Sequence, residues 1–551
     1  MVDLNPRRNL RTVGSEVLAL LFSSFIYSIA FPGLISTNGV APLAFIALIP
    51  VFAVIRNTSW KLVPIYGFFY GFMFYLFFNY WLKTFHPLAI LIVPIIKGGE
   101  MIALFLALKA AQKLFKKHGY LVEAVIWVAY SYISQDWFAG YPYGTLGSAV
   151  YRWLPFIQIA EFTGIWGVTF LMVLPQTFLG SYLADWYRKR KVSFVAFLAS
   201  HRPFLITYAC TIIATLVFGF VSIAHWKGVE PDLHWRVATI QHSADTWEGG
   251  YTTYKRNFNN LRKMSLEALI AEPEAIIWSE TAFVPSVAWH ESYPSDPDTR
   301  ALVDEFVAFG KSLPVPLVTG NPEGVLDDPT KPPLGDDGSW NRKDYNTVIF
   351  FEGGEIKNTY RKQHLVPFTE HFPYEKQMPW LYNLLLANDY NWWETGFDPV
   401  VFETDSGVRF STPICFEDVF GYLNADFVKN GADVIVNMTN DGWSKAVSAE
   451  MQHLGLAVFR SIENRRTTIR GTNSGMTCLI DATGKIIEAM EPFKVGWKIY
   501  DVPVYRGESV GLTFYTTHID WFAFASIYLS IALLVAGAVA NVLRWVKKRR
   551  S

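Results

Sequence analysis

Cysteine is scarce in this chain. Cys210, Cys415 and Cys478 are the only three among 551 residues. Their odd number and the lack of any CxxC or similar spacing exclude a disulfide framework and a thiolate metal centre. Charge is scarce too. Asp, Glu, Lys and Arg make up only 17%, and 48 basic residues balance 48 acidic ones. A net charge of zero gives no global electrostatic footprint for nucleic acid. So little charge beside 51% hydrophobic residues is also wrong for an ordinary soluble enzyme of this length. Internal repeats and low-complexity tracts are absent. The mean hydropathy of +0.20 is modest for a chain that is all membrane. A membrane part joined to a soluble part fits every one of these numbers.

Long apolar runs lie at roughly 16–35, 40–55, 62–85, 87–112, 120–135, 157–184 and 204–226, with an eighth at about 519–544. Each approaches the ~20 residues that cross a hydrocarbon core, the second and fifth being short. Arg7, Arg8 and Arg11 give the first run the look of a signal peptide. No small-x-small cleavage site stands out, so an uncleaved helix is expected. Basic residues gather in every second loop: the N-terminal arginines, Arg56 with Lys61, Lys109 to Lys117, Arg188 to Lys191, and Arg544 to Arg550. With both termini cytoplasmic, the positive-inside rule is met throughout, and seven preceding spans put the segment from about 227 to 514 outside. Three parts follow: a helix bundle over 1–226, an outer domain over 227–514, and a last helix with a basic tail over 515–551. Within the fourth run, Lys97 and Glu100 are expected to face a cavity or a partner. Gly98 and Gly99 would permit close helix approach.

The outer segment reads as α/β. Apolar or β-branched runs at Arg236–Gln241, Ala275–Trp278, Val315–Thr319, Thr347–Phe351 and Val434–Asn437 look like buried strands. Helical periodicity appears near Tyr254–Ala271, Asp298–Lys311 and Ser448–Asn464, and turn signals stand at Gly353-Gly354, Asp405-Ser406-Gly407 and Asp481-Ala482-Thr483-Gly484. Helices packed on sheets are expected.

Cys415, in Pro413-Ile414-Cys415-Phe416-Glu417-Asp418, follows an expected strand and stands beside two carboxylates. Alone it reads equally as a buried small hydrophobe, as do Cys210 and Cys478. A thiol nucleophile needs a base and a cation or donor set for the oxyanion. His242, His290, His364, His371, His453 and His518 lie in the outer segment, none in a context like that of a Cys–His protease. A carboxylate whose pKa is raised by burial can serve instead. Glu280, at the end of the strand in Trp278-Ser279-Glu280-Thr281-Ala282, fits that need, and Lys362 offers a compact ammonium. Each of the two, taken singly, is more often a solvated side chain.

The order Glu…Lys…Cys resembles the nitrilase superfamily, and the flanking words resemble its membrane branch, the apolipoprotein N-acyltransferase family. Those words include Trp278-Ser279-Glu280, Tyr345-Asn346-Thr347, Lys362 to Glu370, Cys415-Phe416-Glu417, Thr439 to Trp443, Gln452-His453-Leu454 and Arg470 to Gly475. Gly140-Tyr141-Pro142-Tyr143 and Gly164-Ile165-Trp166-Gly167 extend the likeness into the membrane part.

The resemblance implies a bundle of about eight membrane helices carrying an αββα sandwich domain. It implies a ping-pong acyl transfer through a Cys415 thioester, with Glu280 as general base and Lys362 supporting the oxyanion. A membrane phospholipid would be the donor and the α-amine of a diacylglyceryl-cysteine apolipoprotein the acceptor. Neither a metal nor a cofactor is implied. Glu370 and Glu417 would orient Lys362 and support proton transfer, Asn346 would wall the site, and Trp247 and Phe416 would meet substrate, Trp247 near acyl-chain entry. The setting is the bilayer of a bacterial inner membrane, with the catalytic domain in the periplasm and the protein a monomer. Departures are Ser279 where proline is usual, Phe416 for tyrosine, Thr369 for glycine, and Ser444 for an aromatic. Two other readings stay open: a membrane-tethered carbon–nitrogen hydrolase (amidase or nitrilase) that passes its acyl group to water, and an inactive lipid-binding paralogue. The aromatic stretch from Phe372 to Phe397, with Trp380, Tyr382, Leu384, Tyr390 and Trp392, reads as an interfacial lid or as domain packing.

Overall fold

A computed structural model describes residues 10–85, 89–138, 140–189, 193–293, 296–335, 340–387 and 392–550. Arg7, Arg8, Arg190, Lys191 and Tyr390 lie outside the described residues. The chain divides into two compact units, Met1–Ala224 with Asp520–Ser551, and His225–Ile519.

In the first unit every apolar run holds a helix: Leu10–Ala30, Ile49–Asn57, Val63–Phe78, Ala89–Phe115, Gly119–Asp136, Ala160–Lys189, Arg202–Gly228 and Trp521–Arg550. Among the described residues, five helical stretches are long and apolar enough to cross a membrane: Leu10–Ala30, Ala89–Asp136, Ala160–Arg188, Arg202–Gly228 and Trp521–Arg549. The stretch Ala89–Asp136 contains two successive helices. The second run is broken because Pro42 and Pro50 each start a new segment, leaving a short turn and a nine-residue helix. The sixth is interrupted at Gly164, whose φ of 60° no ordinary helix holds.

Gly67 and Gly98 let two helices meet backbone to backbone. A Cβ at Gly67 would lie 2.7 Å from the Met101 carbonyl oxygen, and one at Gly98 2.9 Å from that of Phe68. Gly99, in contrast, faces open space. Lys97 has the partners expected of a charge in an apolar run: its Nζ lies 2.9 Å from Glu100 Oε2 and 2.6 Å from Ser134 Oγ.

The second unit is built on two sheets. Their strands are β1 (Leu233–Gln241), β2 (Ala275–Ile277), β3 (Leu317–Leu326), β4 (Arg342–Glu352), β5 (Glu355–Arg361), β6 (Trp393–Glu394), β7 (Val401–Glu403), β8 (Arg409–Ser411), β9 (Val434–Thr439), β10 (Thr467–Thr472), β11 (Cys478–Ile480), β12 (Ile486–Ile487) and β13 (Gly496–Val504). One sheet runs β13-β1-β2-β3-β4-β5 with β6 beside β4; the other runs β12-β11-β10-β9-β8-β7. In each sheet three adjacent strands are parallel, β1-β2-β3 and β8-β9-β10. Such strands are covered on both faces, which is why β2 (Ala275–Ile277) and the start of β9 (Val434–Val436) are short continuous apolar runs.

Helices Tyr251–Ala268 and Pro297–Ser312 press Phe258, Leu261 and Phe306 onto Ile276, Trp278 and Phe351 of the first sheet. Helix Val447–Asn464 packs against β10 of the second, beside helix Gly421–Lys429. Between the sheets Trp235 and Phe350 meet Phe410, at ring separations of 5.3 and 5.5 Å. The layers are therefore helix, sheet, sheet, helix.

Candidate active site

The sheets bring the ends of several strands together. Glu280 follows β2, Lys362 follows β5, Cys415 follows β8 and Asn440 follows β9. Asn346 joins them because β4 runs antiparallel to β5, and the Lys362 N–H donates to the Asn346 carbonyl at 2.9 Å. Gly320 in β3 is what lets Glu280 settle: a Cβ there would lie 2.8 Å from the Glu280 Cα.

Lys362 is fully buried, and its Nζ lies 2.8 Å from Glu370 Oε1 and 3.5 Å from Glu280 Oε1. Glu280 is held from both sides, accepting from Asn346 Nδ2 at 2.8 Å and from the Asn440 N–H at 2.9 Å. Glu370 uses its other oxygen to accept from the Val366 N–H. Burial raises the Glu280 carboxyl above its usual range; Lys362 pulls it down and Glu370 pushes it up. Burial opposes the Lys362 ammonium, but Glu370, Glu280 and Cys415 outweigh it and raise the amine. The lysine therefore stays charged.

Cys415 opens a tight turn with φ of 49°, a left-handed conformation that costs a non-glycine residue about 1 kcal/mol or more. Its carbonyl is anchored by Asn437 Nδ2 at 3.2 Å. Burial pushes the thiol well above its ordinary value, and Glu280 adds to the rise while Lys362 opposes it. The resting sulfur is thus protonated, and a thiol in that state can serve as a nucleophile only with a base beside it. His364 is no rival base: burial and then Lys362 lower it to about 3.

The two carboxylates beside Cys415 in sequence turn elsewhere. Glu417 accepts from Tyr360 Oη, from the Gln363 and His364 N–H groups, and from the Ile414 N–H at 2.6 Å. Its grip on Lys362 is indirect, through the residues that follow the lysine. Burial, against those N–H donors and Lys362, pushes the Glu417 carboxyl up to about 7. Asp418 points to Arg470 and His453.

Phe416 is buried, its ring 5.0 Å from that of Phe420 and 5.8 Å from that of His364. Trp247 is about half exposed, on a loop tied to Asn440 through Thr246 and Asn473. In the segment from Phe372 to Phe397, Phe372, Tyr382 and Trp392 pack as one ring cluster. Trp380 and Phe397 in the same segment stand 67% and 84% exposed, so only part of it packs.

Known proteins match both units. Residues 23–177 fit the family model described as apolipoprotein N-acyltransferase N-terminal domain, and residues 236–508 fit carbon-nitrogen hydrolase. Apolipoprotein N-acyltransferase 1 of Treponema denticola is 35% identical over 89% of this chain and 90% of its own length. The protein of that name from Treponema pallidum is 35% identical over 96% of both. The chain belongs to the apolipoprotein N-acyltransferase family. Membership makes it an acyltransferase on a carbon–nitrogen hydrolase fold. Among solved structures, Saccharomyces cerevisiae Nit3 of the nitrilase superfamily is similar, with 18% identity and a TM-score of 0.34, over 49% of this chain and 91% of that one.

In this family member, sequence reasoning gave no role to Asn440, Tyr360 or the Asp418–His453–Arg470 cluster. Asn440 reaches Glu280 through its backbone N–H, a contact that leaves no side-chain signal. Tyr360 hides in an ordinary strand pattern. Glu417→Gln is expected to destabilise the protein by about 3 kcal/mol, because an amide NH2 would face N–H donors that now meet a charged acceptor. Thermal unfolding in detergent measures this, and an unchanged midpoint would contradict it.

Proposed function

We propose that the protein moves a fatty acyl group from a membrane phospholipid to the α-amino group of an apolipoprotein's N-terminal diacylglyceryl-cysteine, by a ping-pong route through a Cys415 thioester. The observation that carries this reading is that the buried pair Glu280 and Lys362, 3.5 Å apart, acts electrostatically on the thiol of the partly exposed Cys415.

As Sγ attacks the ester carbonyl carbon, Glu280 takes the thiol proton, and the new oxyanion develops toward the Lys362 ammonium. Collapse breaks the ester C–O bond, and the lysophospholipid alkoxide leaves with the proton from Glu280. The acceptor amine then attacks the thioester, Glu280 takes its proton, and the C–S bond breaks to return Cys415 as a thiol. The thioester keeps the activation of the ester, so the residues present suffice for both halves.

Alternating basic loops support an inner-membrane protein with both ends cytoplasmic and the His225–Ile519 unit on the periplasmic side. That placement counts the shorter helices among seven preceding passes. The protein acts as a monomer in this reading.

The deciding experiment exposes the protein to phospholipid alone and weighs the Cys415 peptide. A fatty-acyl increment is expected on wild type and none on Cys415→Ala, followed by its discharge onto a diacylglyceryl peptide. An unmodified peptide under these conditions, or discharge to water only, overturns the proposal.

A further inference from the structure

Close to Cys415 in the chain lies a second charged cluster that the proposed chemistry does not use. Asp418, Asp441, Glu450, His453 and Arg470 are all buried. Asp418 comes from the turn Cys415–Val419, Asp441 from the turn Asp441–Ser444, Glu450 and His453 from helix Val447–Asn464, and Arg470 from β10. His453 stands between two carboxylates, with Nε2 2.8 Å from Asp418 Oδ1 and Nδ1 2.9 Å from Asp441 Oδ1. A neutral imidazole has one N–H and would turn a lone pair toward the other carboxylate. Only the imidazolium donates to both.

The surrounding charges agree. Arg470 Nη1 donates to Asp418 Oδ2, and its Nη2 lies 3.7 Å from Asp441 Oδ2. Glu450 accepts from Ser444 Oγ, and burial followed by Asp441 pushes its carboxyl far up, so it keeps its proton. Cys478, near Arg470, is held as a thiol by burial. Two cations therefore balance two anions with little access to water.

Each end of the bridge leads to a reacting group. Asp418 shares the short turn of Cys415, whose left-handed backbone needs support. Asp441 follows Asn440, whose N–H fixes Glu280 Oε2. We propose that His453 is a positioning residue of the acyl-transfer site, an imidazolium that ties the nucleophile's turn to the loop holding the base. The inference rests on Cys415 forming the thioester. Burial and, less strongly, Arg470 oppose the imidazolium, but Asp418 and Asp441 outweigh both, and His453 is pushed up to about 9 from its ordinary 6.5. The bridge is complete at neutral pH and is lost as pH climbs through 9. Lys362 is raised too, from the higher ordinary value of an amine, so the two titrations are separable.

The test follows thioester formation on Cys415 by mass, across pH, in detergent with a mixture of diacyl phosphatidylethanolamine and phosphatidylglycerol. Wild type is expected to lose rate as pH passes about 9. At neutral pH His453→Gln is expected to be slower by about 10²-fold, the scale of a small misplacement of reacting groups. Its half-saturating phospholipid should be unchanged and its alkaline loss absent. Asp441→Asn, which removes one of the two carboxylates, should move that loss to lower pH. A folded His453→Gln with wild-type rate and profile overturns the inference, as does a wild type without the alkaline loss, or an Asp441→Asn profile that stays in place. Should His453→Gln fail to fold, the wild-type and Asp441→Asn profiles decide. Absence of any thioester on wild type strikes the acyl-transfer reading itself.

Discussion

Glu280→Gln is expected to slow thioester formation by about 10²–10⁴-fold, the usual contribution of a positioned base, with little change in fold. The glutamine oxygen still accepts from Asn346, so the bond from the Asn440 N–H and the ion pair with Lys362 are what is lost, and Glu370 keeps its own pair with the lysine. In wild type the base must be ionised. Burial raises the Glu280 carboxyl above its ordinary 4.5, so the rate should fall on acidification at a pH above that value. In the variant this acidic limb should vanish, and the residual rate should climb with pH because only spontaneously formed thiolate can react. That thiolate should also form more easily, since Glu280 is the charge that most opposes it and Lys362 remains beside it. Rate measurements on the Cys415 peptide across pH would refute the assignment if the glutamine enzyme kept the wild-type profile.

What could be read from the chain alone follows from which forces are local. The strands at 275–277, 347–351 and 434–437 announce themselves because their buried residues are mostly apolar, whereas β10 (TTIRGT), equally buried, gives no such signal. Gly353-Gly354 between β4 and β5 is legible for a different reason: both residues take positive φ, which glycine adopts without strain. Helix lengths in the membrane unit are less legible. Hydropathy adds up side chains and is blind to Pro42, Pro50 and Gly164, which cut apolar runs into shorter helices.

The site divides along the same line. Glu280 and Cys415 each follow a strand visible in sequence, whereas Lys362 reads there only as a loop lysine, and the meeting of the three depends on sheet order and on the β4–β5 register. Proximity in sequence even misleads. Glu417 and Asp418 adjoin Cys415, yet their carboxylates go to backbone N–H groups and to Arg470 with His453. The carboxylate whose charge most affects the sulfur is the distant Glu280. A helix such as Val447–Asn464, buried along nearly its whole length while carrying Glu450, His453, Arg460 and Glu463, shows charged residues where an apolar pattern would be simplest. Such a violation of patterning is the sequence trace of a polar network.

Lys362→Met is expected to cost both stability and activity, and the two losses can be separated. The ammonium is wholly buried between Glu280 and Glu370. Removing it leaves two carboxylates facing each other without a cation, and breaking a buried pair in this way costs about 3–5 kcal/mol. One of the carboxyls must then take up a proton, and Glu280, freed from the downward pull of Lys362, becomes a poorer base at neutral pH. In the proposed mechanism the oxyanion also loses its stabilising charge, an expected further factor of about 10²–10³. In the double variant Lys362→Met with Glu370→Gln, one unpaired charge is gone, so most of the stability should return on thermal unfolding in detergent. Thioester formation should not return, because no cation stands at the oxyanion and the thiol has lost the only group among its main electrostatic neighbours that lowers its pKa. Recovery of activity together with stability would mean that Lys362 serves only to neutralise its neighbours.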